Sequence, residues 1–192
     1  MKIDIYLIRH GKTKENEEGR YAGCRTDSSL SSLGKEELLE NIKNNCYPED
    51  PYLIFESPMK RCRETADIIY PEREKIVIEG TEEIDFGSFE GKNYDELNGK
   101  ELYQKWIDSG GKLPFPEGES IEAYTKRVMK GIEYIKNTVN EKLAGEESAA
   151  QEAVPVVFAC HGGTIMAARY AISGGEYFDY LSKNGDCVKI SL

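Results

Sequence analysis

The sequence predicts an α/β fold on a mainly parallel sheet, and three observations point to it. Short runs of β-branched and aromatic residues alternate with amphipathic stretches, the pattern of strands joined by helical crossovers. Two of those runs, "IDIYLI" (3–8) and "VPVVFAC" (154–160), read as strands buried on both faces. The composition, 39% hydrophobic and 31% charged over 192 residues, suits one globular domain, 1–192, long enough to bury a core.

Taken in order, "IDIYLI" is the first strand. "LSSLGKEELLENIKNN" (30–45) reads as a helix, with serines leading in and Leu38, Leu39 and Ile42 at helical spacing. "YLIFESP" (52–58) is a second strand stopped by Pro58, and "KRCRETADIIY" a helix ended before Pro71. "KIVIEG" (75–80) is a third strand, followed by an extended or loop segment "EEIDFGSFEG". Tyr94–Ile107 is expected to be helical, and "KLPFPEGES" a loop. Ser120 is placed to cap a long helix with Ile121, Tyr124, Val128, Ile132, Ile135 and Val139 on one face. Residues 144–153 are low in bulky side chains and read as a mobile surface loop. Residues 154–160 form the fourth strand, "HGGTIMAARYAI" turns into a helix near Thr164, and "DCVKISL" is a last, edge strand.

Composition excludes several functions. A formal charge of −10 disfavours nucleic-acid binding, which needs a basic surface, although a local cationic cluster can still reverse the field in one cleft. No apolar run approaches the ~20 residues of a membrane span. Asp4 and Arg9 around the first apolar run argue against a signal peptide, so a cytoplasmic chain is expected. Cys24, Cys46, Cys62, Cys160 and Cys187 are widely spaced, without a C-x-x-C pair, and read as free thiols rather than a zinc site. No H-E-x-x-H, EF-hand or G-x-x-x-x-G-K-[ST] segment occurs, so neither a metal nor a P-loop is expected. A cysteine-phosphatase loop fails because Met166 stands where arginine is needed. No D-x-D segment follows a strand, and no G-x-S-x-G elbow is present.

The two histidines, His10 and His161, share one context: an apolar strand, then His-Gly. In open α/β sheets, ligands bind beyond the carboxyl ends of the strands, where both stand. Glycine after each lets a ligand approach the backbone, and the helix after His161 offers free N–H groups to an anion. Arg9 at the end of a buried strand needs an anion, either a structural carboxylate or a bound phosphate or carboxylate. Arg61 and Arg63 open the second helix, where an anionic partner would explain one of them. Glu82, Glu83 and Asp85 are the acidic candidates. A carboxylate held beside a phosphate is raised in pKa by like charge and serves as a general acid. With the other nucleophiles eliminated, neutral imidazole remains. It attacks phosphorus to give a phosphohistidine, provided cations neutralise the phosphoryl oxygens and an acid protonates the leaving alcohol.

These residues, in their order, resemble the histidine phosphatase superfamily, also called phosphoglycerate mutase-like. The resemblance rests on "RHGKT", Asn16, "GRYAG", "TDSSLSSLG", "SPMKRCRETA", "EEIDFGSFEG", "PFPEGES" and "CHGGTI", and spans the chain apart from 144–153. It implies a three-layer α/β/α sandwich with a mainly parallel central sheet, and no metal or cofactor. It assigns His10 as the phosphorylated nucleophile, Arg9, Arg61 and His161 to the phosphate pocket, and Glu83 as proton donor. Gly11, Asn16, Gly23 and Gly162 match residues lining the phosphate site. Arg61 rather than Arg63 occupies the family's arginine. Met59, Cys62, Ala22 and Cys160 depart from common family residues and bear on substrate preference.

Within the family, cofactor-dependent phosphoglycerate mutases carry a longer insertion with basic residues for a second acidic group. Here residues 92–118 are short, with Lys92, Lys100, Lys105 and Lys112 interspersed with acids. A phosphatase acting on a small phosphorylated metabolite is therefore favoured over a mutase, and Arg9, His10, Arg61, Glu83 and His161, which fill each catalytic position, argue against a catalytically silent phosphate-binding module. "EIDFGSFEGKNYDEL" and "YQKWIDSGGKLPFPEGES" are similar to bacterial α-ribazole-5'-phosphate phosphatases of cobalamin assembly. Tyr94, Tyr103, Trp106 and Phe115 are available either as an aromatic wall for a benzimidazole-like base or as core. Cys160, beside His161, either is oxidation-sensitive or points into the core. Oligomeric state is not specified by the sequence.

Overall fold

The computed structural model describes residues 2–144 and 152–192. A five-stranded sheet has the order β3-β2-β4-β1-β5. Strands β1 (Lys2–Arg9), β2 (Leu53–Glu56), β3 (Ile76–Val77) and β4 (Ala153–Cys160) are parallel, and β5 (Cys187–Ser191) is the antiparallel edge beside β1. This is the predicted mainly parallel α/β sheet.

Side-chain alternation builds the layers. Ile3, Ile5 and Leu7 of β1, Phe55 of β2 and Val156, Phe158 and Cys160 of β4 join one core cluster. That cluster also takes Tyr124, Val128, Ile132, Ile135 and Val139 from α6 (Ile121–Leu143), and Ile165, Ala167 and Ala168 from α7 (Gly162–Ser173). On the opposite face Ile8, Ile54 and Val157 pack with Tyr70, beyond α3 (Lys60–Ile69). Helix α2 (Ser32–Lys43) packs beside α3. Burying each such side chain contributes about 1.5–3 kcal/mol relative to exposure.

The caps follow the sequence. Ser31 Oγ accepts from Gly34 N–H and Ser120 Oγ from Ala123 N–H, opening α2 and α6. A short helix α1 (Lys14–Glu17) is opened by a reciprocal Thr13–Asn16 capping box. Two expectations need correction. Tyr94–Ile107 is not one helix but α4 (Tyr94–Leu97) and α5 (Glu101–Asp108). Between them Asn98 is extended and Gly99 takes a φ of 77°, which no helix continues through. The third strand pairs over Ile76–Val77 alone. Most of the segment expected to be a surface loop, 144–153, lies outside the described residues, although Ala144 caps α6 and Ala153 opens β4. Among the described residues no helix is long and apolar enough to cross a membrane.

Candidate active site

Three neighbouring strands end together. Arg9 of β1 is in register with Cys160 of β4, and Glu56 of β2 with Ala159. The next residues of the three strands are therefore His10, His161 and Ser57. His10 N–H continues the ladder to Cys160 O (2.9 Å) and Ser57 N–H to Ala159 O (3.0 Å). The two imidazoles meet edge to face, centroids 5.4 Å apart.

His10 is buried, and its ring is held at Nδ1 by Gly11 O at 2.8 Å. A carbonyl only accepts, so Nδ1 carries the proton and Nε2 keeps its lone pair. Arg61 Nε donates to that Nε2 at 3.2 Å. The fully buried Arg61 is spanned across the loop after α1: Nη1 donates to Thr26 O (2.6 Å), and Nη2 to Gly23 O (3.2 Å). The family arginine thus stands at the Nε2 edge of the imidazole, whereas Arg63 lies outside and pairs with Glu56 at 3.6 Å. Burial, reinforced by the Arg61 charge, holds both His10 and His161 well below the ordinary imidazole value of 6.5, so both are neutral at pH 7.

His161 is completely buried, its Nε2 2.8 Å from Ser57 Oγ and 3.5 Å from Cys62 Sγ. The sulfur beside this histidine is therefore Cys62. Cys160 belongs to the core cluster and has no exposed surface, with its thiol pushed well above the ordinary value by burial.

Arg9 donates through Nη1 to Ser182 O, and its buried Nε has no hydrogen-bond partner among the described residues. Burial lowers its pKa and Glu83 opposes this, yet a guanidinium stays charged. An unpaired guanidinium N–H in a cleft is an available donor for an anion.

Of the acidic candidates, Glu83 alone enters the cleft. Its Oε1 accepts from Tyr124 OH (2.8 Å) and Ile84 N–H (2.9 Å), and its Oε2 from Gly163 N–H (3.1 Å). Burial, then the Glu83 charge, holds the Tyr124 hydroxyl well above its ordinary value, so it stays protonated and donates. A Cβ at position 163 would lie 2.3 Å from Glu83 Oε1, so glycine is required for this approach. Glu82 and Asp85 pair instead with Arg127 (3.7 Å) and Arg25 (2.8 Å).

The cleft has two lobes. A polar lobe of about 250 Å³ is lined by Arg9, His10, Asn16, Arg20, Tyr21, Ala22, Glu83, Tyr94 and Tyr103. An apolar lobe of about 230 Å³ is lined by Arg9, Glu83, Phe86, Trp106, Phe115, Gly162, Met166, Tyr177, Phe178 and Leu181. Asn16 Oδ1 is occupied by Thr13 N–H (3.0 Å) and Asn184 Nδ2 (3.2 Å), leaving its own amide nitrogen to donate. Gly162 lies against the Arg9 guanidinium. Among the described residues Arg61 and His161 are fully buried and, like Gly11 and Gly23, line neither lobe. Gly11 N–H donates to Thr65 Oγ1, and Gly23 N–H to Glu90 Oε1. They act on the cleft through His10 and Arg61. Of the four aromatics singled out in the sequence, Tyr103, Trp106 and Phe115 are buried in the core cluster and also line the cleft, Trp106 and Phe115 stacked at 4.7 Å, whereas Tyr94 is exposed at the polar lobe. Sequence reasoning missed Ser57, Tyr124, Asn184, Tyr177 and Phe178. Only Ser57, the residue after a strand, carried a local signal. Among the described residues no group of three or more His, Cys, Asp or Glu side chains is placed to hold a metal ion.

Comparison with known proteins agrees with this geometry. The family model described as histidine phosphatase superfamily (branch 1) matches residues 5–186. A Hydrogenobacter thermophilus protein provisionally named phosphoserine phosphatase 2 is 28% identical over 174 residues, 88% of this chain and 78% of that one. The crystal structure of a phosphoglycerate mutase from Thermus thermophilus aligns with a TM-score of 0.68 at 28% identity, over 98% of this chain and 92% of that one. An Escherichia coli structure provisionally described as an α-ribazole-5'-phosphate phosphatase aligns with a TM-score of 0.78, over 98% and 90% of the chains; at 20% identity it shows the fold alone. The chain belongs to the histidine phosphatase superfamily, and by class it is a phosphatase.

Proposed function

We propose that the chain hydrolyses a small phosphomonoester, without a metal, through a phosphohistidine on His10. The carrying observation is the Nδ1–Gly11 O bond, which leaves His10 Nε2 as a neutral nucleophile in a lobe shared with Arg9 and Glu83. The His10 Nε2 lone pair attacks phosphorus as the bond to the leaving oxygen breaks. Arg9 and Arg61 neutralise the phosphoryl oxygens, the uncharged Asn16 amide donates to them, and the neutral His161 packs beside His10. Glu83 gives the leaving oxygen its proton, then takes one from the water that attacks the phosphohistidine, releasing inorganic phosphate and restoring His10.

The leaving group sits in the apolar lobe, whose Trp106–Phe115 stack suits a flat aromatic body. We favour α-ribazole 5'-phosphate, supported by that wall and by the two stretches of sequence similarity. A mutase is disfavoured because no arginine pair or lysine cluster lines the apolar lobe for a second acidic group.

The test is hydrolysis of an aryl phosphate with EDTA present, by wild type and His10→Ala, with acid-quenched labelling of the protein. Metal-independent turnover and an acid-labile phosphoenzyme, both absent in the variant, are expected. Turnover of α-ribazole phosphate no better than that of simple sugar phosphates overturns the substrate assignment. Activity only on 3-phosphoglycerate with 2,3-bisphosphoglycerate returns the chain to the mutases.

A further inference from the structure

A second cavity of about 560 Å³ lies outside the apolar lobe, and the two share only Ile121, Tyr177 and Phe178 as lining residues. These three side chains form the partition. Ile121 is fixed as the first residue of α6, and Tyr177 is buried with its hydroxyl bonded to Gly163 O at 3.3 Å. Phe178 is different. It is 38% exposed, on a single 3₁₀ turn (Tyr177–Tyr180), and its ring makes edge contacts with Trp106 (6.3 Å) and Tyr177 (5.2 Å). Its far side rests on Gly111. A Cβ there would lie 2.5 Å from the ring, and the backbone has a φ of 74°. Glycine at 111 thus serves two ends, a left-handed turn and a seat for this ring.

We propose that Phe178 is a specificity-determining residue: its ring closes the leaving-group lobe at a fixed depth and keeps the outer cavity from the substrate. This rests on the reading of the apolar lobe as the leaving-group site. The enzyme therefore prefers compact aromatic leaving groups. Removing the ring joins the two cavities and admits longer ones, because the space behind it is already formed and over twice as large. Met129 and Tyr170 give the outer cavity an apolar side, beside the charged Lys126 and Glu122.

The experiment compares wild type, Phe178→Ala and Phe178→Leu on phenyl and biphenyl-4-yl phosphate, reading the ratio of kcat/KM, long over short. The single tryptophan, Trp106, beside Phe178, reports binding of phenylphosphonate and biphenyl-4-ylphosphonate by fluorescence, independently of turnover. In Phe178→Ala both ratios are expected to rise about tenfold, the scale of one added apolar group in a pocket, with Phe178→Leu between. An unchanged or lowered binding ratio in soluble, cooperatively melting variants overturns the proposal, even if wild-type turnover is normal. A raised binding ratio with no phosphoenzyme in any variant upholds the partition and overturns the catalytic reading instead.

Discussion

His10 and His161 are near-copies in sequence and opposites in environment. Each follows an apolar strand, precedes glycine and stands at the same end of the sheet, with rings 5.4 Å apart. His10 is bonded at Nδ1 by its own neighbour's carbonyl, so its Nε2 is unprotonated, and that lone pair accepts from Arg61 Nε at 3.2 Å. His161 has its Nε2 against Ser57 and its ring edge against Cys62. The difference teaches that a motif supplies a residue type, whereas the hydrogen bond on the second ring nitrogen decides the role. In the proposed reaction the first imidazole attacks, whereas the second is tethered by Ser57 and held still.

From that asymmetry the two alanine variants are expected to differ in kind. His10→Ala is expected to lose turnover on the order of 10⁵-fold, with no acid-labile phosphate on the protein. His161→Ala is expected to lose about 10³-fold yet still label slowly in a rapid-quench experiment. Equal labelling of the two variants breaks the comparison. Next in size is Arg61→Lys, which keeps the charge but loses the fork that grips His10, Thr26 and Gly23. A fall in kcat/KM of about 100-fold is expected, with a stability loss of about 3 kcal/mol in urea unfolding.

Glu83→Gln separates the acid from the nucleophile. Alkyl phosphates, with poor leaving groups, are expected to slow about 100-fold and 4-nitrophenyl phosphate less than about tenfold, read as a steepened dependence of rate on leaving-group pKa. Ser57→Ala sharpens the comparison further: about a tenfold fall in kcat, because His161 loses a tether while His10 keeps its own. The smallest effect is on stability. Both histidines have folded pKa values below the unfolded one, so between the two the unfolded chain binds more protons and stability falls as pH drops below about 6.5, levelling beneath the folded values. Thermal melts at about pH 7.5 and about pH 5.5 are expected to show this slope, reduced in His161→Asn.

The sequence by itself determined the α/β class, the strands that end in histidine and the residue types of a phosphate site. These are local matters: strand and helix periods are written in neighbouring residues, and a ligand site lies past the strand ends in any open α/β sheet. Residue pattern and periodicity alone did not determine which of near neighbours faces the cleft; only the family resemblance singled out Arg61 and Glu83. Arg61 and Arg63 are two residues apart on one helix and point to different sides, and packing put one against His10 Nε2 and the other beside Glu56. Tertiary structure likewise chose Glu83 over Glu82 and Asp85, broke the helix at Gly99, and set β2 beside β4 so that Ser57 reaches His161 across 104 positions of sequence. It also built the apolar lobe from α5, the loop around Phe115 and the 3₁₀ turn at Tyr177–Tyr180. Strand order and side-chain direction are set by contacts between segments far apart in the chain, and no local pattern encodes them.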